Sequence, residues 1–276
     1  LKIKHLCIDT PIVDITSIES KSIIRGLNRL LEVSKNKYFF APLYSKAECR
    51  KDMTRKDVNL VHFPAKSRKN DKPFVVVSAG GAYNNVFSIA EAYPVATRLN
   101  ELGYSVFILT YSVGGKGIFP KPLDDLAKAL AHIKKHRGKY RINHFTYVLF
   151  GFSAGGNLSA LWGTDKHGYK AYGLAKPHAL VLVYPVISIR LFSSKKIADI
   201  LTKTMLGVSS KKAKDMEYNV DELVTKSYPP TYIVCCKDDN VVPTVNSMSL
   251  KKRLGELAIP SYIEVGQGGG HVLARE

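Results

Sequence analysis

A serine lies between two glycines in the stretch Gly151-Phe152-Ser153-Ala154-Gly155. An apolar run typical of a buried strand precedes it, and a segment of helical character follows. In such a strand, turn and helix the chain bends sharply at the serine, and glycines two positions away on either side let the strand and helix approach closely. The pattern predicts a nucleophilic Ser153 exposed at the end of a strand. It also occurs by chance, so the other groups of the reaction have to be found elsewhere in the chain.

A serine hydroxyl needs a base to take its proton and an acid to orient that base. His271 lies in a glycine-rich loop after the last predicted strand, and Asp238 and Asp239 follow the strand before it. Alone, either aspartate suits a turn or a helix cap, and the histidine suits an ordinary loop. Their joint position, at the ends of two successive strands that follow Ser153, favours a Ser, His, Asp triad with one of the two aspartates as its acid.

The remaining part of such a site is a set of backbone amides that holds the developing oxyanion. Gly80 and Gly81 directly follow the strand-like run FVVVSA, and without a Cβ their amides can come close to a substrate carbonyl. A tight turn is the simpler interpretation of two glycines. Their place upstream of Ser153 favours an oxyanion hole made by Gly80, Gly81 and the amide of Ala154.

Strand-like and helix-like segments alternate from about residue 57 to the end of the chain. This alternation predicts a single α/β domain, 57–276, with a mostly parallel sheet and helices on both faces. Residues 1–56, which hold one helical segment and a charged loop, are predicted to be an N-terminal extension packed on that domain. Residues 186–228 interrupt the alternation, and because ligands bind at the carboxyl ends of parallel strands, they are predicted to form a small lid.

The chain of 276 residues carries 41 Lys and Arg against 23 Asp and Glu, a formal net charge of +18. Such an excess can attract nucleic acid, an acidic polysaccharide or an anionic membrane surface. The basic residues are scattered in short runs without the interleaved aromatic residues of nucleic-acid modules. We therefore expect a solvated basic surface and no specific nucleic-acid partner.

The four cysteines are too few and too irregularly spaced for a disulfide framework or a zinc site. No apolar run approaches the ~20 residues that span a bilayer, so no membrane span is expected. Cysteine usage favours a reduced, cytoplasmic protein. The chain begins with Leu1 and not with methionine, which leaves a removed leader as the alternative.

Five stretches of the chain resemble the α/β-hydrolase superfamily and, within it, the bacterial acetyl-esterase and xylan-esterase-like branch near the hormone-sensitive-lipase type. They are SAGGAY, GFSAGGNLSALWG, ALVLVYPVI, PPTYIVCCKDDNVVPTVNS and GGGHV. The resemblance covers roughly residues 57–276. In that branch the acid precedes x-Val-Val-Pro, which implies Asp239 and not Asp238.

Two features depart from the pattern of that branch. Its oxyanion loop usually reads His-Gly-Gly-Gly or Pro-Gly-Gly-Gly, where this chain has Ser78-Ala79-Gly80-Gly81. Relatives also continue into a final helix, whereas this chain stops five residues after His271.

The residues and the resemblance together predict a serine carboxylic ester hydrolase that needs no metal or organic cofactor. Its expected substrate is a small ester with a short acyl group, acetyl above all, on a sugar or another small alcohol. A peptidase or an arylformamidase would use the same triad, and a catalytically inactive, basic binding protein is the alternative outside the enzymes. The sequence leaves a homo-oligomer open.

Overall fold

The computed structural model describes residues 20–66, 71–213 and 216–271. Within these ranges the helices and strands follow one another in this order: α1 (Ser20–Val33), β1 (Phe40–Pro42), α2 (Lys46–Lys51), β2 (Asn59–Phe63), β3 (Phe74–Ser78), α3 (Ala92–Glu101), β4 (Val106–Thr110), α4 (Lys121–Lys135), α5 (Arg137–Tyr140), β5 (Tyr147–Phe152), α6 (Ser153–Trp162), β6 (Ala179–Val183), α7 (Lys195–Leu206), α8 (Ser210–Ala213), α9 (Val220–Leu223), β7 (Thr231–Cys236), α10 (Val245–Glu256) and β8 (Ser261–Gly266). Single 3₁₀ turns lie at Met53–Arg55 and Ile189–Leu191.

The eight strands form one sheet in the order β1-β2-β4-β3-β5-β6-β7-β8. Strands β3 to β8 are parallel to one another, whereas β2 runs antiparallel to both of its neighbours, β1 and β4. The predicted α/β-hydrolase fold, a mostly parallel sheet between helices, is confirmed. All six parallel strands end at one edge of the sheet, which is where such folds bind their ligands.

The side chains of the central strand β3 are buried on both faces of the sheet. Its five residues FVVVS are all buried, and successive side chains point to opposite faces. Phe74 and Val76 join the core that contains α4, α6 and α10, while Val75 and Val77 join a second core that contains α1 and α3. A near-continuous β-branched run is typical of such a doubly covered strand.

The N-terminal part of the described chain contributes to both the sheet and its helical cover. Helix α1 packs against α3, and β1 forms the antiparallel edge of the sheet by pairing with β2. The predicted boundary at residue 57 separates β1 from its own sheet. We therefore propose that the domain includes residues from β1 onward.

The segment between β6 and β7 contains the longest inserted helix, α7. The end of α7 receives three backbone hydrogen bonds from the loop between β4 and α4, in which Gly117, Ile118 and Phe119 donate to successive carbonyls of the helix. The insertion is therefore attached to a second loop at the carboxyl edge of the sheet. In the part of the chain that the structure describes, no helix has both the length and the apolar character to cross a membrane.

Candidate active site

Ser153 lies at the turn between β5 and α6 with a positive φ of 49°. This conformation is uncommon for a residue with a side chain, and the strain is typical of functional sites. The flanking glycines are required by contact: a Cβ on Gly151 would lie 2.3 Å from the carbonyl oxygen of Gly155, and one on Gly155 would lie 2.2 Å from that of Ser78. The sequence around the serine thus permits a close crossing of strand and helix.

The three residues of the predicted triad meet at the carboxyl edge of the sheet. His271 Nε2 lies 2.9 Å from Ser153 Oγ, and His271 Nδ1 lies 2.8 Å from Asp239 Oδ2. The side chain of Asp239 is 0% exposed and that of His271 is 7% exposed. A carboxylate on Nδ1 fixes the tautomer in which Nε2 can take a proton from the serine, so the arrangement can activate Ser153 for attack.

Asp239 is held in place by its second oxygen. The backbone N–H groups of Val241 and Val242 both donate to Asp239 Oδ1, each at 2.9 Å. The x-Val-Val-Pro stretch therefore folds back on the carboxylate and leaves Oδ2 for the imidazole. Each oxygen of the buried carboxylate therefore has a hydrogen-bond partner.

The neighbouring Asp238 is exposed and makes different contacts. Its Oδ1 accepts a hydrogen bond from Gly270 N at 2.9 Å, and its Oδ2 accepts one from Gly269 N at 3.1 Å. Both glycines have positive φ values, 137° and 64°, so the loop that carries His271 is sharply bent. The two aspartates thus act on the histidine at different points: Asp239 contacts its ring and Asp238 contacts its loop.

The oxyanion prediction needs one correction, at Gly80. The N–H of Gly80 donates to Glu91 Oε2 at 2.5 Å, so this amide is taken by a protein carboxylate and does not face a substrate. The loop itself passes directly over the nucleophile, because a Cβ on Gly80 would lie 2.8 Å from Ser153 Cβ. Among the described residues, the amides of Gly81 and Ala82 donate to no protein acceptor.

The loop after β3 is anchored on several sides. The Tyr111 hydroxyl donates to the Ala79 carbonyl at 2.7 Å, and the Tyr83 hydroxyl donates to Asn157 Oδ1 at 2.8 Å. Residues 81–83 all have positive φ, at 128°, 53° and 58°. Asn157 lies one turn after Ser153 in α6, so the loop and the nucleophile are tied to the same helix. These contacts define the loop in a chain that lacks the usual leading His or Pro.

Glu91 and Tyr184 were not predicted from the sequence as parts of the site. Glu91 Oε1 accepts a hydrogen bond of 3.0 Å from the hydroxyl of Tyr184, whose ring centroid lies 4.6 Å from that of His271. Burial raises the pKa of Glu91, and the Gly80 amide, the His271 charge and the Tyr184 hydroxyl oppose this rise. Burial and the charge of Glu91 raise the pKa of Tyr184 well above its usual value. Glu91 is far from Ser153 and His271 along the chain and lies in no recognised motif, so only the fold places it there.

Among residues 20–66, 71–213 and 216–271, no group of three or more His, Cys, Asp or Glu side chains is placed to hold a metal ion.

The chain is similar to known esterases and to enzymes of xylan breakdown. It is 29% identical over 208 residues to endo-1,4-beta-xylanase B of Butyrivibrio fibrisolvens, covering 72% of this chain and 32% of that protein. It is 28% identical over 178 residues to an acetylxylan esterase of Xylanibacter ruminicola, covering 63% of this chain and 35% of that protein. The chain thus spans about a third of the length of these curated relatives.

Solved structures share the fold of this chain, and they match a larger part of it than the curated relatives do. An acetyl ester-xyloside bifunctional hydrolase from Caldicellulosiruptor lactoaceticus superposes with a TM-score of 0.71 at 27% identity, covering 85% of this chain and 88% of that one. A carboxylesterase from Lactobacillus plantarum superposes with a TM-score of 0.66 at 22% identity, covering 79% and 81%. The family model described as BD-FAE matches residues 61–254, more than half of the chain. The chain belongs to the BD-FAE family, within the α/β-hydrolase fold.

Proposed function

We propose that this protein is a serine carboxylic ester hydrolase that removes short acyl groups, acetyl foremost, from a carbohydrate. The observation that carries the proposal is the unbroken chain of hydrogen bonds from Ser153 through His271 to Asp239. The relatives named acetylxylan esterase and acetyl ester-xyloside bifunctional hydrolase support an acetyl ester of a xylan-type sugar as the substrate.

In the proposed mechanism Ser153 attacks the ester carbonyl while His271 takes the hydroxyl proton, and Asp239 stabilises the imidazolium that forms. The protonated His271 then gives its proton to the leaving alcohol, which leaves an acyl group on Ser153. A water molecule, activated by the same imidazole, attacks this acyl-enzyme and releases the acid.

The negative charge of each tetrahedral intermediate has to be held by amides that have no protein acceptor. We propose the amides of Gly81 and Ala154 for this role. The amide of Ala82, which follows Gly81, also donates to no protein acceptor among the described residues. Ala154 is in the first turn of α6, where amides have no intrahelical acceptor and the helix dipole favours negative charge. The amide of Gly80 does not bind the oxyanion in this mechanism, because it donates to Glu91.

The nucleophile is tested with a fluorescent alkyl phosphonate. We expect one label per chain, on Ser153, and no label and no turnover in Ser153→Ala. Ser159, which lies in the same helix with a buried hydroxyl, provides the matched control: Ser159→Ala should keep both labelling and turnover. Labelling at any other serine would overturn the assignment.

The substrate is tested with p-nitrophenyl esters from acetyl to decanoyl beside acetylated xylo-oligosaccharides and N-formyl arylamines. If the 186–228 insertion forms a short acyl wall, each methylene beyond it forfeits about 0.8 kcal/mol of transfer free energy. We expect kcat/KM to be highest for acetyl to butyryl and to fall by octanoyl. A rate that climbs to decanoyl would reject the short-acyl proposal, and faster cleavage of the formyl arylamine would favour an arylformamidase.

A further inference from the structure

Glu91 is a buried carboxylate that lies just before helix α3, between the loop after β3 and the segment after β6. It is 7% exposed, and each of its oxygens has one partner: Oε2 accepts from Gly80 N at 2.5 Å and Oε1 accepts from the Tyr184 hydroxyl at 3.0 Å. An amide N–H can only donate, so Oε2 is an acceptor. Both oxygens therefore accept hydrogen bonds, which offsets part of the cost of burying this carboxylate.

The first contact fixes one end of the loop that crosses the nucleophile. Gly80 immediately precedes Gly81, whose amide is proposed to hold the oxyanion. Oxyanion donors must be preorganised, because a displaced donor no longer reaches the charge that develops in the transition state. A charged acceptor on the preceding amide gives this stretch of backbone a short, strong tether.

The second contact connects Glu91 to the histidine. Tyr184 has a positive φ of 38°, and its ring is tilted at 50° against the His271 ring at a centroid distance of 4.6 Å. The positive charge of the imidazolium stabilises the Glu91 carboxylate, and since such coupling is reciprocal, the carboxylate stabilises the imidazolium equally. Tyr184 thus lies between the Glu91 carboxylate and the His271 ring and contacts both.

We infer that Glu91 is a positioning residue of the proposed hydrolase: it holds the Gly80 end of the oxyanion loop and supplies a second negative charge that stabilises the His271 imidazolium. The inference rests on the proposed function. The other titratable groups around this pair are Asp239, Tyr184, Tyr111 and Cys236. Burial raises the pKa values of Tyr184, Tyr111 and Cys236, which keeps these three side chains neutral at ordinary pH.

Two substitutions at Glu91 separate its two roles. Glu91→Gln keeps the shape and an acceptor for Gly80 but removes the charge, so the acid limb of the kcat/KM profile should move to lower pH by about one unit. Glu91→Asp keeps the charge but is one methylene shorter, so that limb should stay near its wild-type position while kcat falls. We expect kcat to fall on the order of 10-fold to 100-fold in both variants, with KM within about threefold, because the loop contacts the transition state more than the ground state.

Glu101→Gln is the matched control, since it is the same change at the exposed last residue of α3, the helix that Glu91 precedes, and it should leave both kcat and the pH profile unchanged. Phosphonate labelling of Ser153 is measured in each variant. Retained but slower labelling in Glu91→Gln is the expected result, whereas absence of labelling and turnover in the wild-type protein would instead reject the proposed function.

Wild-type kcat and an unmoved acid limb in Glu91→Gln would overturn the inference. If that variant does not fold, Tyr184→Phe provides the test, because it keeps the ring on His271 and removes only the hydroxyl that donates to Glu91. Its kcat should fall several-fold, and an unchanged kcat in a folded Tyr184→Phe would also overturn the inference.

Discussion

At the scale of single residues, two adjacent aspartates have different roles that depend on which atoms they reach. The sequence pattern predicted that both aspartates follow a strand, and only the resemblance to a known family favoured Asp239 as the acid. The structure adds the physical basis: Asp239 is buried with its Oδ2 on the imidazole, while the exposed Asp238 accepts from two loop amides. Whether a carboxylate points inward or outward depends on the turn that follows, and composition alone does not determine that.

The first prediction separates these aspartates. Asp239→Asn should lower kcat by about 10⁴-fold, because an amide at this point favours the wrong tautomer of His271. Asp238→Asn should lower kcat by about tenfold, since its amide can accept from only one of the two loop N–H groups. The two kcat values, measured on p-nitrophenyl acetate beside the phosphonate labelling rate, check this. Equal losses in the two variants would show that His271 depends on its loop as much as on its acid.

The oxyanion loop is an example of a feature that the sequence predicts only in part. Two glycines after a strand indicated the loop, but they did not indicate which amide is free. Glu91 accepts from the Gly80 amide eleven positions away, and Tyr184 reaches Glu91 from the segment after β6. Such contacts between distant side chains and backbone follow from the packing of whole elements and leave no local pattern.

At the scale of elements, alternating patterns were enough to find the strands and long helices that build the site. The strands from β2 onward and the helices α3, α4, α6 and α10 all lie where apolar periodicity indicated them. The strand β1 was missed, because a strand of three residues carries too little pattern and depends on β2 for its hydrogen bonds. Local sequence patterns therefore predict an element that has a clear apolar face. They do not predict a short strand that is stabilised only by pairing with its neighbour.

The second prediction concerns the crossing of β3 and α6 at the nucleophile. Gly155→Ala should lower the free energy of unfolding by about 3 kcal/mol, because the added Cβ would lie 2.2 Å from the Ser78 carbonyl oxygen and 2.4 Å from that of Ala79. Urea denaturation and the turnover of p-nitrophenyl acetate together measure the effect. Activity should fall with stability, since the shift moves Ser153 against its oxyanion loop.

The matched control for this prediction is Gly255→Ala, a glycine near the end of α10 whose added Cβ would meet no atom within 4 Å. It should raise the free energy of unfolding by about 0.8–1 kcal/mol, the difference in helix propensity between the two residues. Equal effects at Gly155 and Gly255 would contradict the close crossing of strand and helix.

At the scale of the whole molecule, we expect the exposed charges to contribute less to the free energy of unfolding than a few buried polar groups do. Most ion pairs that the structure describes have at least one exposed partner, and such pairs contribute little. His62 is different: its ring is stacked on Phe107 at 4.4 Å and meets Tyr140 edge-on at 4.8 Å, deep in the sheet. Its Nε2 lies 2.9 Å from Ser105 Oγ, and its buried Nδ1 has no described partner.

Burial lowers the pKa of His62 to about 3, from an ordinary value of 6.5. The folded protein therefore keeps this ring neutral where the unfolded chain protonates it, so the unfolded state binds more protons between these two values. The contribution of neutral His62 is fully present above pH 6.5 and is lost progressively as the pH falls toward 3. Acid should thus weaken the whole fold through one side chain far from the catalytic edge of the sheet.

The third prediction follows from this difference in proton binding. His62→Phe keeps an aromatic ring between Phe107 and Tyr140 but cannot be protonated. At pH 7 the variant should be less stable by about 1 kcal/mol, because the contact with Ser105 is lost. Between pH 7 and pH 5, however, it should lose about 2 kcal/mol less of its free energy of unfolding than the wild-type protein does. Urea denaturation at the two pH values measures both quantities, and the exposed His144, changed to Gln, is the control that should behave as wild type. An identical loss of stability in wild type and His62→Phe would mean that the pKa of His62 is the same in the folded and unfolded states, against the burial and ring contacts that surround it.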